Sequence, residues 1–472
     1  MTKPRYSLMR TTEKELRSPS ESPGIVRGLG ASRAAFETFA ERAAMRTALG
    51  DAVRQAWPNC VYAAAAPDAV VDLDGDAEGQ IDWRVQYAPA LYQQYLDALS
   101  PADSLLMNDA AQRSFKYVDH RDLIIVYRLP GRGTSAVVRR ASTAKSESLY
   151  VLKGIDFGDF LTSRDEFTHD RDVFYRAIQT LSSIPPHPNI LSPPRIIAVA
   201  RHPGDEGRAL VCGTLYPFMA RGTLDDQVTR CEKDGGRLRL RDKARWYLQM
   251  SSAVAHTHHT AHTYHMDIKP ANVLVDDQGN TILIDWEQSG APLYTLAPEA
   301  NGEWDVDEVG ELGAPSKLVY KQYQGPTRVN LPRGRPAWNV FPEWSRRWPR
   351  ACEAAVVFSL GRTMWMLLQE VQQEGVEDLD PKRIIVNWSD NAGDIPDHWK
   401  AVVMRCLEHD PNKRIGLTDL VRFWEGQQQV SLTQLLSSTE GLVSPHDITI
   451  TFRSVCQSLR PIYPPPVTEL NQ

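Results

Sequence analysis

From Ser32 onward, Phe36, Phe39, Ala40, Ala43, Val53 and Trp57 recur with the spacing of an amphipathic helix, and a second helical stretch follows Pro89 through Leu91, Tyr95, Leu96 and Leu99. Residues 29–115 are therefore expected to form a helical N-terminal region, preceded by a polar arm at 1–28 whose clustered Ser and Pro predict mobility. The texture changes after about residue 117. Leu123–Tyr127, Ala136–Arg140 and Leu149–Lys153 are short β-prone runs, and Pro130, Gly131 and Gly133 separate the first from the second. Helical period returns with Phe167, Phe174, Ile178 and Leu181, further strands are expected around Ile196–Val199 and Ala209–Leu215, and from Arg241 the chain reads as mostly helical. Residues 300–350, rich in Gly, Pro and Trp without steady periodicity, read as a long insertion.

A chain of 472 residues, 42% hydrophobic and 24% charged, should hold two or three domain-sized cores. Its 53 basic and 59 acidic residues give a net charge of −6, which makes no electrostatic case for nucleic acid or a membrane as partner. No apolar run suggests a membrane span and the first 30 residues lack a secretion core, so a cytoplasmic or nuclear location is expected. Six scattered cysteines with no CxxC pair argue against thiolate zinc or redox chemistry.

The strongest chemical signal is His265-Met266-Asp267-Ile268-Lys269-Pro270-Ala271-Asn272, followed by the apolar run to Ile284 and then Asp285-Trp286-Glu287. A carboxylate, an amine and an amide at that spacing, on a loop between apolar runs, can gather around a phosphate with metal ions. Here the chain resembles the eukaryotic-type protein kinase family, whose loop reads HRDxKPxN and whose later triplet reads DFG. The resemblance implies that Asp267 is the base for the acceptor hydroxyl, that Lys269 touches the γ-phosphate, and that Asn272 and Asp285 hold Mg2+. It covers roughly residues 120–427. Gly131 and Gly133 match the glycine-rich loop over the phosphates of ATP, Lys153 the strand lysine that meets the α- and β-phosphates, and Pro217 and Met219 the hinge whose backbone takes adenine. Ala297-Pro298-Glu299 matches the APE motif, with Arg414 as the structural partner of Glu299.

Several positions depart from the family pattern. No helix glutamate stands where Lys153 needs one, so Asp172 or Asp170 is the expected substitute. Glu287 replaces the DFG glycine, which predicts a fixed, inward Asp285. Met266 replaces the HRD arginine and only nine residues separate the DWE and APE triplets, which leaves little room for a phosphorylation switch. Val356 stands where the family carries a bracing Asp, with Glu353 one turn earlier. His258 and His262 at i, i+4 could hold a metal, and Asp72, Asp74 and Asp76 have the first spacings of a calcium loop, but the resemblance and the absent Gly and Glu of that loop favour ordinary roles for both sets.

The expected architecture is thus α+β: a bilobal protein-kinase-like fold at 118–427, with a small β-rich lobe at 118–215, a large helical lobe at 216–427, a helical N-terminal extension, and a tail at 428–472. The implied activity is transfer of the ATP γ-phosphate to a protein Ser or Thr, since Lys269-Pro270 looks like the Ser/Thr form of the loop. The alternatives are a pseudokinase acting as a binding module and a small-molecule kinase of the aminoglycoside or choline type, whose triplet resembles DWE.

Overall fold

The computed structural model describes residues 7–8, 69–75, 81–87, 89–105, 115–129, 134–140, 148–162, 164–202, 205–288, 290–310, 317–326, 328, 340–372, 375–376, 384–389 and 393–439. The rest of the 1–28 arm and most of the 428–472 tail lie outside them. Strands β1 (Ser7–Leu8), β2 (Ala69–Gly75) and β3 (Ile81–Tyr87) form a small sheet in the order β1-β2-β3. The expectation of a helical region at 29–115 is thereby corrected over β2 and β3. Ile81, Trp83, Val85 and Tyr87 alternate strictly with polar residues, a period of two that only a strand satisfies. Asp72 and Asp74 sit in β2 opposite Arg84 and Asp82 of β3, so they belong to a ladder and not to a calcium loop. Helix α1 (Pro89–Ala98) follows, as its spacing predicts.

The small lobe is a six-stranded sheet. Strands β4 (Lys116–Asp119), β5 (Leu123–Arg128), β6 (Thr134–Arg140), β7 (Tyr150–Gly154), β8 (Ile196–His202) and β9 (Asp205–Pro217) lie in the order β4-β8-β9-β7-β6-β5. Five of them run antiparallel to their neighbours; β4 is added at the edge, parallel to β8. The chain crosses from β7 to β8 through α2 (Phe157–Thr162) and the amphipathic α3 (Arg164–Ser183), whose Phe167, Phe174 and Ile178 are buried against the sheet. Tyr92, Tyr95 and Leu96 of α1 join that same core, with Tyr95 in ring contact with Phe157, Phe160 and Phe167. The flank is therefore continuous with the small lobe, and the lobe begins before residue 118.

The large lobe is built on α4 (Leu224–Lys233), α5 (Leu240–Ala255), α6 (Phe341–Arg347), α7 (Pro349–Gln369), α8 (Asp397–Cys406) and α9 (Leu417–Thr439). Helix α7 is long and apolar enough to cross a membrane, yet its residues are buried on all sides by the other helices, which makes it the core of the lobe. Tyr247 of α5, Trp399 of α8 and Trp424 of α9 pack edge to face beside it, with centroids 4.8 and 5.0 Å from Trp424. Helix α9 runs past residue 427 to Thr439. The 300–350 segment does more than interrupt: β12 (Trp304–Val309) and β13 (Lys317–Gln322) form a hairpin, and its Val306 and Leu318 are buried in the lobe core with Phe341 and Trp344 of α6. Packed into the large-lobe core through Val273, Val275 and Leu283, β10 (Val273–Val275) and β11 (Thr281–Leu283) form a short hairpin that carries the His265–Asn272 loop on one side and Asp285 on the other.

Candidate active site

Three elements converge on one point. Lys153 is the fourth residue of β7, in register with Ser135 of β6 and Thr214 of β9, so the sheet fixes its backbone on both sides. Asp267 and Asn272 flank the turn that leads into β10, and Asp285 follows β11 by two residues. The β10–β11 ladder therefore sets the spacing of Asn272 and Asp285, and the Ile284 N–H donates to the Asn272 carbonyl at 3.0 Å.

Within this frame the Lys269 ammonium donates to Asp267 Oδ2 at 2.9 Å and the Asn272 amide donates to the Asp267 carbonyl at 2.8 Å. Asp267 Oδ1 is buried and has no hydrogen-bond partner among the described residues. His265 is buried, joins the Ile284 carbonyl through Nε2 at 2.8 Å, and stacks edge to face on Trp286 at 4.7 Å, so the two motifs are locked to each other. Burial pushes its imidazole pKa down.

Lys153 is paired with both Asp285 and Glu287, the latter at 2.8 Å. Burial alone would lower the pKa of this ammonium. The carboxylates of Asp285 and Glu287 outweigh that effect and hold it above the ordinary lysine value. For Asp285 the balance is reversed: burial raises the carboxyl, but Lys153, with Lys269 and His265 adding to it, holds it below the usual range. Asp172, in contrast, is half exposed and pairs with its neighbour Arg171 at 2.8 Å. The expected bond from α3 to Lys153 is replaced by one from Glu287, because α3 turns Asp172 to the outer surface.

Backbone strain falls where a glycine was expected to matter, but one residue later. Asp285 has φ +68° and Gln288 φ +52°, whereas Glu287 is not in the left-handed region, so no glycine is needed at 287. Gln288 is held in that conformation by its side chain: Oε1 accepts from the Met266 N–H at 3.2 Å and Nε2 donates to the Tyr264 carbonyl. This clip ties the DWE segment to the loop at Met266, itself buried where the family has an arginine.

Among the other sequence-identified residues, Gly131 and Gly133 lie outside the described residues; at the facing ends of β5 and β6 the Leu129 N–H donates to the Ser135 carbonyl at 2.8 Å. Pro217 ends β9 and Met219 follows it where the chain leaves the sheet for α4. Glu299 and Arg414 form a buried bidentate pair at 2.5 and 3.0 Å. Tyr294 and Thr295 are buried. Val356 packs in the α7 core, and Glu353 does not brace the loop: its Oε1 accepts from the Leu417 N–H at 2.8 Å at the start of α9. Its Oε2 faces His258 and His259 at 3.8 and 3.6 Å, across a π-turn at His256–Thr260; His262 instead takes a left-handed backbone. The signal that sequence reasoning passed over is Glu287, whose carboxylate reads as an added negative charge until the fold brings Lys153 to it.

Residues 125–292 match the protein kinase domain family. The chain is 26% identical over 206 residues to CBL-interacting protein kinase 8 of Oryza sativa subsp. japonica, covering 42% of this chain and 40% of that protein. It is 25% identical over 215 residues to the phosphorylase b kinase gamma catalytic chain, liver/testis isoform, of Rattus norvegicus, covering 43% and 48% of the two chains. It is also 35% identical over 99 residues to human serine/threonine-protein kinase 16, covering 21% and 30%. The chain thus spans between about a third and a half of the length of these relatives. The strand order of the small lobe, the joined HMD and DWE motifs and these matches together support a eukaryotic-type protein kinase domain at residues 125–292.

Proposed function

We propose that this protein transfers the γ-phosphate of ATP to a Ser or Thr hydroxyl of a protein substrate. The observation that carries the reading is the Asp267 carboxylate: Oδ2 is held by Lys269, and the buried Oδ1 is left to accept a proton from one further donor. An acceptor hydroxyl placed there would lose its proton to Asp267 as its oxygen bonds to the γ-phosphorus and the bond to the β-phosphate oxygen breaks. Lys153 and Lys269 would face the phosphates, and the backbone at Pro217 and Met219 would take adenine.

Mg2+ suits the donor set, since Asn272 and Asp285 offer hard amide and carboxylate oxygens, and the Asn272 amide nitrogen is already committed to the Asp267 carbonyl. Bound there, the ion would neutralise charge on the phosphates. Burial of Tyr294 and Thr295 and the absence of an arginine at 266 support an activity that needs no phosphorylation of this segment. The Glu299–Arg414 pair favours a protein acceptor, because it fixes a segment of the kind that docks peptides.

The test is Mg-ATP binding and γ-phosphate transfer, autophosphorylation included, for the wild type beside Asp267→Asn and Asp285→Asn. Transfer lost in Asp267→Asn while binding survives supports the reading. Binding without transfer in the wild type moves the protein to the pseudokinase alternative.

A further inference from the structure

In the kinase reading above, on which this inference rests, a carboxylate must hold the phosphate-facing lysine in place. We propose that Glu287 is that carboxylate, so that the segment carrying Asp285, and not helix α3, positions Lys153. Glu287 Oε1 lies 2.8 Å from Lys153 Nζ, and its side chain is 14% exposed against 52% for Asp172. Both acids paired with Lys153 come from one short stretch of chain, 285–287. They are not equivalent. Asp285 is the carboxylate whose oxygens a cation on the phosphates would draw on, and once it turns to that cation its hold on Lys153 weakens. Glu287, at 2.8 Å from Nζ, would then remain as the partner that keeps the ammonium aimed.

The backbone around Glu287 is built to serve as a fixed support. On one side Trp286 is buried against His265, and on the other Gln288 is bonded to Met266 and Tyr264. A carboxylate between two such anchors has little freedom to leave its lysine.

Helix α3, for its part, is held by other means. The Arg171 guanidinium donates to the Ala98 carbonyl at the end of α1 at 2.8 Å. The Ser100 N–H donates to the Tyr175 hydroxyl at 2.8 Å, which in turn donates to the Val211 carbonyl of β9 at 2.9 Å. Phe167 of α3 is buried against Tyr95 of α1. These contacts with the flanking segment fasten α3 to the sheet, while among the described residues the ion pairs of Lys153 run to Asp285 and Glu287. Two jobs that one helix acid would combine, anchoring the helix and aiming the lysine, are divided between α1 and Glu287.

The experiment uses the full chain as wild type, Glu287→Gln, Glu287→Asp and Asp172→Asn, with circular dichroism to establish that each is folded. Two readouts are taken: the acylation rate of Lys153 by an amine-selective reagent at pH 8.5 without nucleotide, followed by mass spectrometry, and kcat and KM for ATP with Mg2+. Glu287→Gln is expected to speed acylation of Lys153 several-fold and to lower kcat/KM on the order of tenfold or more, since a phosphate-facing group displaced by about 1 Å can cost up to about a hundredfold. Glu287→Asp should recover part of both, and Asp172→Asn should change neither. Equal acylation in Glu287→Gln and wild type overturns the assignment, as does a loss in Asp172→Asn matching that in Glu287→Gln. A gain in ATP affinity or turnover in Glu287→Gln also overturns it, because Glu287 would then be a brake on Lys153. A wild type that neither binds nor uses Mg-ATP sinks the nucleotide reading alone; the acylation contrast still decides which acid holds the lysine.

Discussion

Replacing Arg414 by Met should destabilise the large lobe beneath the Ala297-Pro298-Glu299 segment. The guanidinium makes four hydrogen bonds in a site where its side chain is 1% exposed: two to Glu299, one to the Ala354 carbonyl at 3.0 Å and one to the Glu408 carbonyl at 2.9 Å. It also lies 4.9 Å from the centre of the Phe358 ring. Methionine fills much of the volume but leaves the Glu299 carboxylate charged, buried and unpaired. Breaking one partner of a buried pair costs about 3–5 kcal/mol. At about 2–4 °C per kcal/mol for a lobe of this size, the melting temperature should fall by about 10 °C. Glu299→Gln, which keeps the shape and removes the charge, should cost less. In the double variant no isolated charge remains, so its loss should fall short of the sum of the two by about 2 kcal/mol or more. Urea denaturation of the four proteins, followed by tryptophan fluorescence, gives the cycle directly. Additive losses, or a loss below about 1 kcal/mol for Arg414→Met, would refute the view that this pair is a dry structural clamp.

Three further outcomes follow from the structure. His187 is buried, accepts from the Asn189 N–H at 3.1 Å and has its pKa pushed down to about 4 by burial and the nearby His256 ring. Its folded pKa lies below the unfolded value of about 6.5, so the unfolded chain binds the extra proton; stability is intact above pH 6.5 and falls by about 2–3 kcal/mol toward pH 4. Acid titration of His187→Gln should show that part of the decline missing, measured as urea midpoints between pH 4 and 7. Gly361→Ala would bring a Cβ to 2.4 Å from Cys406 Cβ, between α7 and α8, and should cost about 1–3 kcal/mol in the same denaturation assay. Treatment with a phosphatase should leave any transfer activity unchanged, and intact-mass analysis should find Tyr294 and Thr295 unmodified, because both side chains are buried and no arginine stands at 266 to receive a phosphate.

Much of the candidate site is legible in the chain because it is local. The loop from His265 to Asn272, the turn into β10 and Asp285 two residues after β11 lie within about twenty residues, and their spacing is a consequence of one short hairpin. Lys153 is legible as a residue but its partner is not. The acid that meets it is 134 positions away in sequence, and the fold alone decides between α3 and the DWE segment. The φ argument at Glu287 fails for a related reason: the left-handed turn can be displaced by one residue when a side chain such as Gln288 supplies the bonds to hold it. In the N-terminal flank, the alternation at 81–87 spans only seven residues beside stretches of helical spacing, and its strand character rests on pairing with β2. Half of the residues of β12 and β13 are apolar, but composition does not say which of them enter the core: Val306 and Leu318 do, whereas Val309 stays exposed.

The way α1 is joined to the small lobe bears on how such a protein can evolve. A catalytic domain with a clean edge can be moved between genes as a cassette, and its neighbours are free to diverge or disappear. Here Tyr95, Ala98 and Ser100 supply packing and hydrogen bonds that α2, α3 and β9 use, so a breakpoint between residues 100 and 118 would separate groups that depend on each other. Recombination that preserves the fold has to cut before Pro89, and the flank and the small lobe should therefore be inherited as one unit.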